Sequence, residues 1–145
     1  MSLKTLLPFL FLPLLVACSD QRASFPIQTS DHALSLIREQ RYFWEKTAVY
    51  TIVAARMPDC MRRHKIGSAP LDARVEVYSP GNNAWILKLG NRMYVVETRS
   101  CEGFATLDAA PEGGMGPLVG TFQMRGESLE FLATAKVAPA ASAGQ

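Results

Sequence analysis

Residues 73–101 read ARVEVYSPGNNAWILKLGNRMYVVETRSC, three short alternations of apolar and polar residues separated by two turn signals. ARVEVY runs into Ser79-Pro80-Gly81-Asn82-Asn83, a turn by composition, because proline presets φ and Gly and Asn tolerate positive φ. AWILKL follows, with Trp85, Leu87 and Leu89 on one face and Ile86 and Lys88 on the other. Gly90-Asn91 suits a two-residue hairpin connection, since both positions accept positive φ. In RMYVVETRSC, Met93 and Val95 oppose Tyr94 and Val96. Period-two alternation rich in β-branched and aromatic residues marks half-buried strands. The stretch therefore predicts an antiparallel β-meander.

The flanking segments extend this pattern. In FWEKTAVYTIVAARM (43–57), Trp44, Ala48, Tyr50, Ile52 and Ala54 share one face, and Thr47 and Thr51 the other. Met57-Pro58-Asp59 ends that strand, because proline cannot donate to a ladder. LVGTFQM and SLEFLATA flank Arg125-Gly126-Glu127 as a last hairpin. Glu102 to Pro117, rich in glycine and proline, reads as a long loop of the kind that is often mobile or functional. Ser30 or Asp31 can cap a short helix from Asp31 to about Gln40, with Leu34 and Ile37 at helical spacing. Ser19 to Thr29 is polar and reads as a tether, and residues 138–145 read as a disordered tail. The expected fold class is mainly β: about six antiparallel strands in a small meander barrel or sandwich, with one short N-terminal helix. One domain is expected over residues 31–137.

The first twenty residues carry an address. One positive charge, Lys4, precedes an apolar run from Leu6 to Val16, well short of the roughly 20 residues a spanning helix needs. Pro8 and Pro13 interrupt it. A charged start, a short apolar stretch and a small residue at its end are the layout of a secretory signal, here residues 1–17. Leu15-Val16-Ala17-Cys18 resembles the lipobox of bacterial lipoproteins. The resemblance implies that the Cys18 thiol is diacylated, that the chain is cut before it, and that residues 18–30 tether the domain to the lipid bilayer. Two or more acyl chains give stable anchoring where one is marginal. Ser19 directly after the cysteine resembles the outer-membrane-sorted kind, which implies a lipid-anchored protein on the cell outer membrane, facing the periplasm.

A chain beginning at Cys18 would hold 128 residues, enough for one core and not two. Without Lys4 it carries 14 basic and 13 acidic side chains, so the basic field that nucleic acid requires is missing. With Cys18 assigned to lipid, Cys60 and Cys101 are left, and in an oxidising compartment such a pair most simply forms a disulfide. A metal site built from Cys60, His64 and Cys101 would lack a CxxC or HxxxH pair and a fourth ligand. No metal and no cofactor are expected.

The densest polar feature is DCMRRHKIG, where Arg62, Arg63, His64 and Lys65 are consecutive beside Cys60. Such a run serves an ordinary solvated turn, or it contacts an anion through arginine forks that match phosphate and carboxylate. In the second reading Arg62, Arg63 and Lys65, held by the disulfide in a pinned loop, bind lipid head groups, lipopolysaccharide phosphates or an acidic envelope protein. Catalysis finds less support: His32 and His64 stand in no catalytic motif, and GxSxG, HExxH and Walker sequences are missing. Glu97 and Glu102 flank Arg99 and read as cross-strand ion pairs. Tyr42, Phe43, Trp44, Tyr50, Tyr78, Trp85 and Tyr94 either form the core or line a cavity for an apolar ligand. The expected protein is a non-catalytic envelope lipoprotein that binds a partner, with carriage of an apolar ligand or lipid as the alternative.

Overall fold

A computed structural model describes residues 19–135. Ten strands occupy them: β1 (Ser19–Thr29), β2 (His32–Gln40), β3 (Thr47–Arg56), β4 (Cys60–Pro70), β5 (Val75–Gly81), β6 (Ala84–Leu89), β7 (Arg92–Glu97), β8 (Phe104–Leu107), β9 (Leu118–Arg125) and β10 (Ser128–Ala133). They form two antiparallel sheets, ordered β1-β2-β3-β4 and β10-β9-β5-β6-β7-β8. Of the two architectures expected, the chain adopts the sandwich. No hydrogen-bonded ladder joins the sheets into a closed barrel among the described residues.

The predicted meander is the heart of the second sheet. β5, β6, β7 and β8 pair in chain order, and Asn82, Asn83 and Gly90 take the positive φ their turns demand (58°, 59° and 60°). β9 then returns to the far side of β5 and pairs with it antiparallel. The hairpin of β9 and β10 is as expected, while β8 is a strand inside the segment read as one long loop.

Two expectations for the N-terminal part are overturned. The helix expected over Asp31 to Gln40 is strand β2, hydrogen-bonded on both sides, to β1 and to β3. Ala33, Leu34, Leu36 and Ile37 are all buried, because β2 is an inner strand covered on both faces, and two-sided burial erases the alternation that signals a strand. The tether expected over residues 18–30 is, from Ser19 onward, strand β1, laid along β2 from Ser19↔Gln40 to Thr29↔His32. Its Ala23, Phe25 and Ile27 pack against the core. The signal segment 1–17, Cys18 and the tail 138–145 lie outside the described residues.

The inner faces of the sheets make one core. Leu34, Leu36, Tyr50 and Ile52 from the first sheet meet Val75, Val77, Leu87, Leu89, Val96 and Phe122 from the second. The two long sides of the sandwich close differently. Along β1 and β10, Phe25 stacks on Phe131 (ring centroids 4.6 Å apart) and meets Trp85 edge-on (5.6 Å). Along β4 and β8, the closure is a disulfide and a row of rings. The chain crosses from β4 to β5 at one end, where Tyr50 Oη donates to Pro70 O (2.7 Å) and the buried Arg38 donates through Nε to Leu71 O (2.9 Å).

Candidate functional site: the disulfide edge

Cys60 and Cys101 are joined, as expected, with Cα atoms 5.9 Å apart. The disulfide ties the first residue of β4 to the segment between β7 and β8. That segment is built around one carboxylate. Glu97 accepts hydrogen bonds from the backbone amides of Arg99 (2.7 Å), Ser100 (3.0 Å), Glu102 (3.2 Å) and Gly103 (3.2 Å), and from the Ser100 hydroxyl. Burial by itself pushes this carboxyl up. The Ser100 hydroxyl and the amides of Ser100, Gly103 and Arg99 outweigh that and hold it down to about 2. A ring of donors favours the charged form in this way. The expectation of a cross-strand ion pair at Glu97 is therefore replaced by an anion caged in backbone amides. Gly103 is required there, since a Cβ would press on Glu97 Cγ. Cys101 sits at φ 63°, a conformation that L-residues adopt at a cost, held by the disulfide and by His64.

The basic run is an edge strand and not a loop. Successive side chains on a strand point to opposite faces, so the four residues divide. His64 turns toward the second sheet, where its Nε2–H donates to Cys101 O (2.8 Å) and its ring stacks on Phe104 (4.8 Å), which stacks on Tyr94 (5.7 Å). Arg62 reaches across to Glu102 at 2.9 Å, an exposed pair with 59% and 68% of the two side chains open to solvent. Arg63 and Lys65 stand exposed on the outer face, opposite Val53 and Thr51 of β3. Arg62 is on the disulfide edge, with Arg63 and Lys65 on the adjoining face; of the three, Arg62 and Arg63 share one groove and Lys65 does not line it. Ile66, left unpaired by the bulge between Thr51↔Lys65 and Tyr50↔Gly67, turns into the core.

Arg62, Arg63, His64, Glu102 and Phe104 line an open groove of about 450 Å³. A second open groove of about 430 Å³, at the other end, is lined by Pro70, Asp72, Ala73, Arg74, Glu76, Lys88 and Gly90. Neither is lined by the aromatic set that a ligand cavity would use. Tyr50, Trp85 and Tyr94 are buried in the core, whereas Tyr42, Phe43 and Trp44 lie outside it on the β2–β3 turn. The expectation that Trp44 shares the inner face of β3 fails because that strand begins only at Thr47.

Both histidines are engaged in hydrogen bonds within the fold. His64 spends Nε2 on a carbonyl. His32 is buried, with Nε2 3.0 Å from Thr98 Oγ1 and Nδ1 3.2 Å from Gln28 Oε1. Burial, and then the nearby Arg56, lower its pKa. The same Thr98 hydroxyl accepts from Trp85 Nε1 (3.2 Å) and donates to Asn83 O (3.3 Å), closing this end of the sandwich. The features sequence reading missed are Glu97, Phe104 and the exposed aromatic turn. Glu97 had a signal in ETRSCEG, a carboxylate followed by a small-residue turn whose amides could converge on it.

The chain matches no protein-family model, no curated protein and no solved structure.

Proposed function

We propose that this is a non-catalytic lipoprotein of the bacterial cell envelope, anchored on the outer membrane through acylated Cys18 and facing the periplasm, that binds an acidic partner protein at the β4–β8 edge. The observation that carries the reading is the sequence Leu15-Val16-Ala17-Cys18 standing directly before β1. A lipid on Cys18 would join the folded domain without an intervening linker. The packed core, with its largest aromatic residues buried, supports partner binding over carriage of an apolar ligand.

Register argues for a protein rather than the anchoring leaflet as the partner of the arginines. Arg62 lines up through Ala54 and Leu34 with Phe25, six residues along β1 from Ser19. At ~3.3 Å per residue that is ~20 Å, beyond the ~8 Å over which physiological salt screens charge. Lys65 lines up with Arg22 and lies nearer the anchor. The groove sets Arg62 and Arg63 beside a histidine and an aromatic ring, and an acidic protein surface would compete with Glu102 for Arg62.

The test has two arms. Cys18→Ser should lose the acyl mass and membrane retention, measured by intact mass and envelope fractionation; unchanged mass and retention refute the lipoprotein reading. In crosslinking pull-downs from intact envelopes, an R62S/R63S/K65S variant should lose most of the partner captured by wild type, and wild-type capture should fall with salt. Equal capture by both proteins at low salt refutes the β4–β8 assignment.

A further inference from the structure

Five large hydrophobic side chains are exposed among the described residues, and three of them are consecutive: Tyr42 (46%), Phe43 (75%) and Trp44 (60%). They form an ordered turn. Glu45 N–H donates to Tyr42 O (3.0 Å), and Gln40 Nε2 donates to Glu45 O (3.0 Å) and Phe43 O (3.3 Å). Tyr42 and Trp44 stack with centroids 4.9 Å apart, and Phe43 meets Trp44 edge-on at 4.8 Å. The three rings make one apolar surface that is assembled in advance, so little freedom is lost when it docks.

Its place in the fold names the occupant. Ser19 pairs with Gln40, so the start of β1 and the aromatic turn share one end of the sandwich. Cys18 precedes Ser19 by a single peptide, ~3.8 Å between Cα atoms. Because β1 is paired along β2, a lipid on Cys18 would hold this turn at the bilayer surface with no slack. Tyrosine and tryptophan are the side chains that settle at head-group level, rings buried and polar edges wet. Arg41 and Lys46 bracket the rings, while Glu45, Glu39 and Asp20 share this end, so the contact rests on the rings and not on charge.

We propose that Tyr42, Phe43 and Trp44 form a second membrane contact, seated in the interface of the bilayer that holds the acyl chains of Cys18. The proposal rests on the lipoprotein reading above. It stands the domain on its aromatic end, with the disulfide end ~33 Å away along β1 and turned toward the periplasm.

The experiment uses protein purified from envelopes and reconstituted into phosphatidylethanolamine–phosphatidylglycerol vesicles with brominated acyl chains. Intact mass on the same sample reads acylation of Cys18. The chain has two tryptophans and Trp85 is buried, so the Trp44 signal is wild type minus Trp44→Phe. Trp44 should lose most of its emission to the bromines and be shielded from aqueous acrylamide, with Trp85 unchanged. A Tyr42→Ser, Phe43→Ser double variant should lose most of that quenching while staying on the vesicles through its acyl chains. Acylated protein whose Trp44 is untouched by bromine overturns the proposal and leaves the lipoprotein reading standing. Unacylated protein with quenched Trp44 supports the aromatic contact and overturns the lipoprotein reading; unacylated and unquenched protein overturns both. Trp44 shielded from acrylamide yet insensitive to bromine reports a protein on the turn, a second copy included, and also overturns the proposal.

Discussion

Replacing Glu97 by glutamine removes the charge at the centre of the β7–β8 segment while keeping one acceptor oxygen and nearly the same shape. The folded protein holds this carboxyl at about 2 against a usual 4.5. At ~1.36 kcal/mol per pKa unit, that difference corresponds to ~3.4 kcal/mol of stability. The carboxylate is only partly buried, so solvent screening reduces the expected loss to about 1–2 kcal/mol. The sign follows from the depressed pKa. The stabilisation is fully present above the unfolded value of 4.5 and disappears as pH falls through about 2, because acid protonates the caged carboxylate only when it is released. Urea unfolding of wild type and Glu97→Gln, with the disulfide intact, should therefore show the largest gap at pH 7 and a gap closing between about pH 5 and pH 2. An undiminished gap at pH 2, or equal stability at pH 7, refutes the caged-anion account.

Two further outcomes are expected from the framework of the sandwich. Replacing Cys60 and Cys101 together by alanine removes a cross-link between residues 41 apart, worth ~4 kcal/mol on the chain-entropy model, and urea midpoints measured without reductant should fall accordingly. Gly120→Ala should destabilise by about 1–3 kcal/mol through overpacking, because its Cβ would press on Phe131 Cζ and lie 2.6 Å from Leu132 O; Gly113→Ala, where that space is open, is the control in the same thermal melts.

The legible parts of this chain are those in which neighbouring residues settle the outcome. In β5, β6 and β7, one buried face alternates with one wetter face, and turn residues stand where positive φ is needed, so period and punctuation agree. β2 hid because both its faces are covered, leaving Leu34 and Ile37 to imitate a helix. β1 hid for the opposite reason: it is an edge strand whose other face is solvated, and Gln21, Arg22, Ser24 and Gln28 outweigh the alternation of Ala23, Phe25 and Ile27. The pairing of Cys60 with Cys101 could be reached by counting thiols. The cage around Glu97 left only a local hint in ETRSCEG, because which amides converge on the carboxylate depends on how the segment between β7 and β8 is bent.

By itself the sequence determined the β class, the hairpins and the cysteine pair, since each depends on residue chemistry over a short span. Tertiary structure decided that β9 returns to β5, that two sheets stack without closing, and that the basic run is an edge strand split between two faces. It also set Ser19 beside the aromatic turn, making one end of the molecule from residues that the sequence reads as a tether and a strand. Strand pairing joins residues far apart in the chain, and burial is the sum of everything packed against a surface. A local pattern carries no record of either.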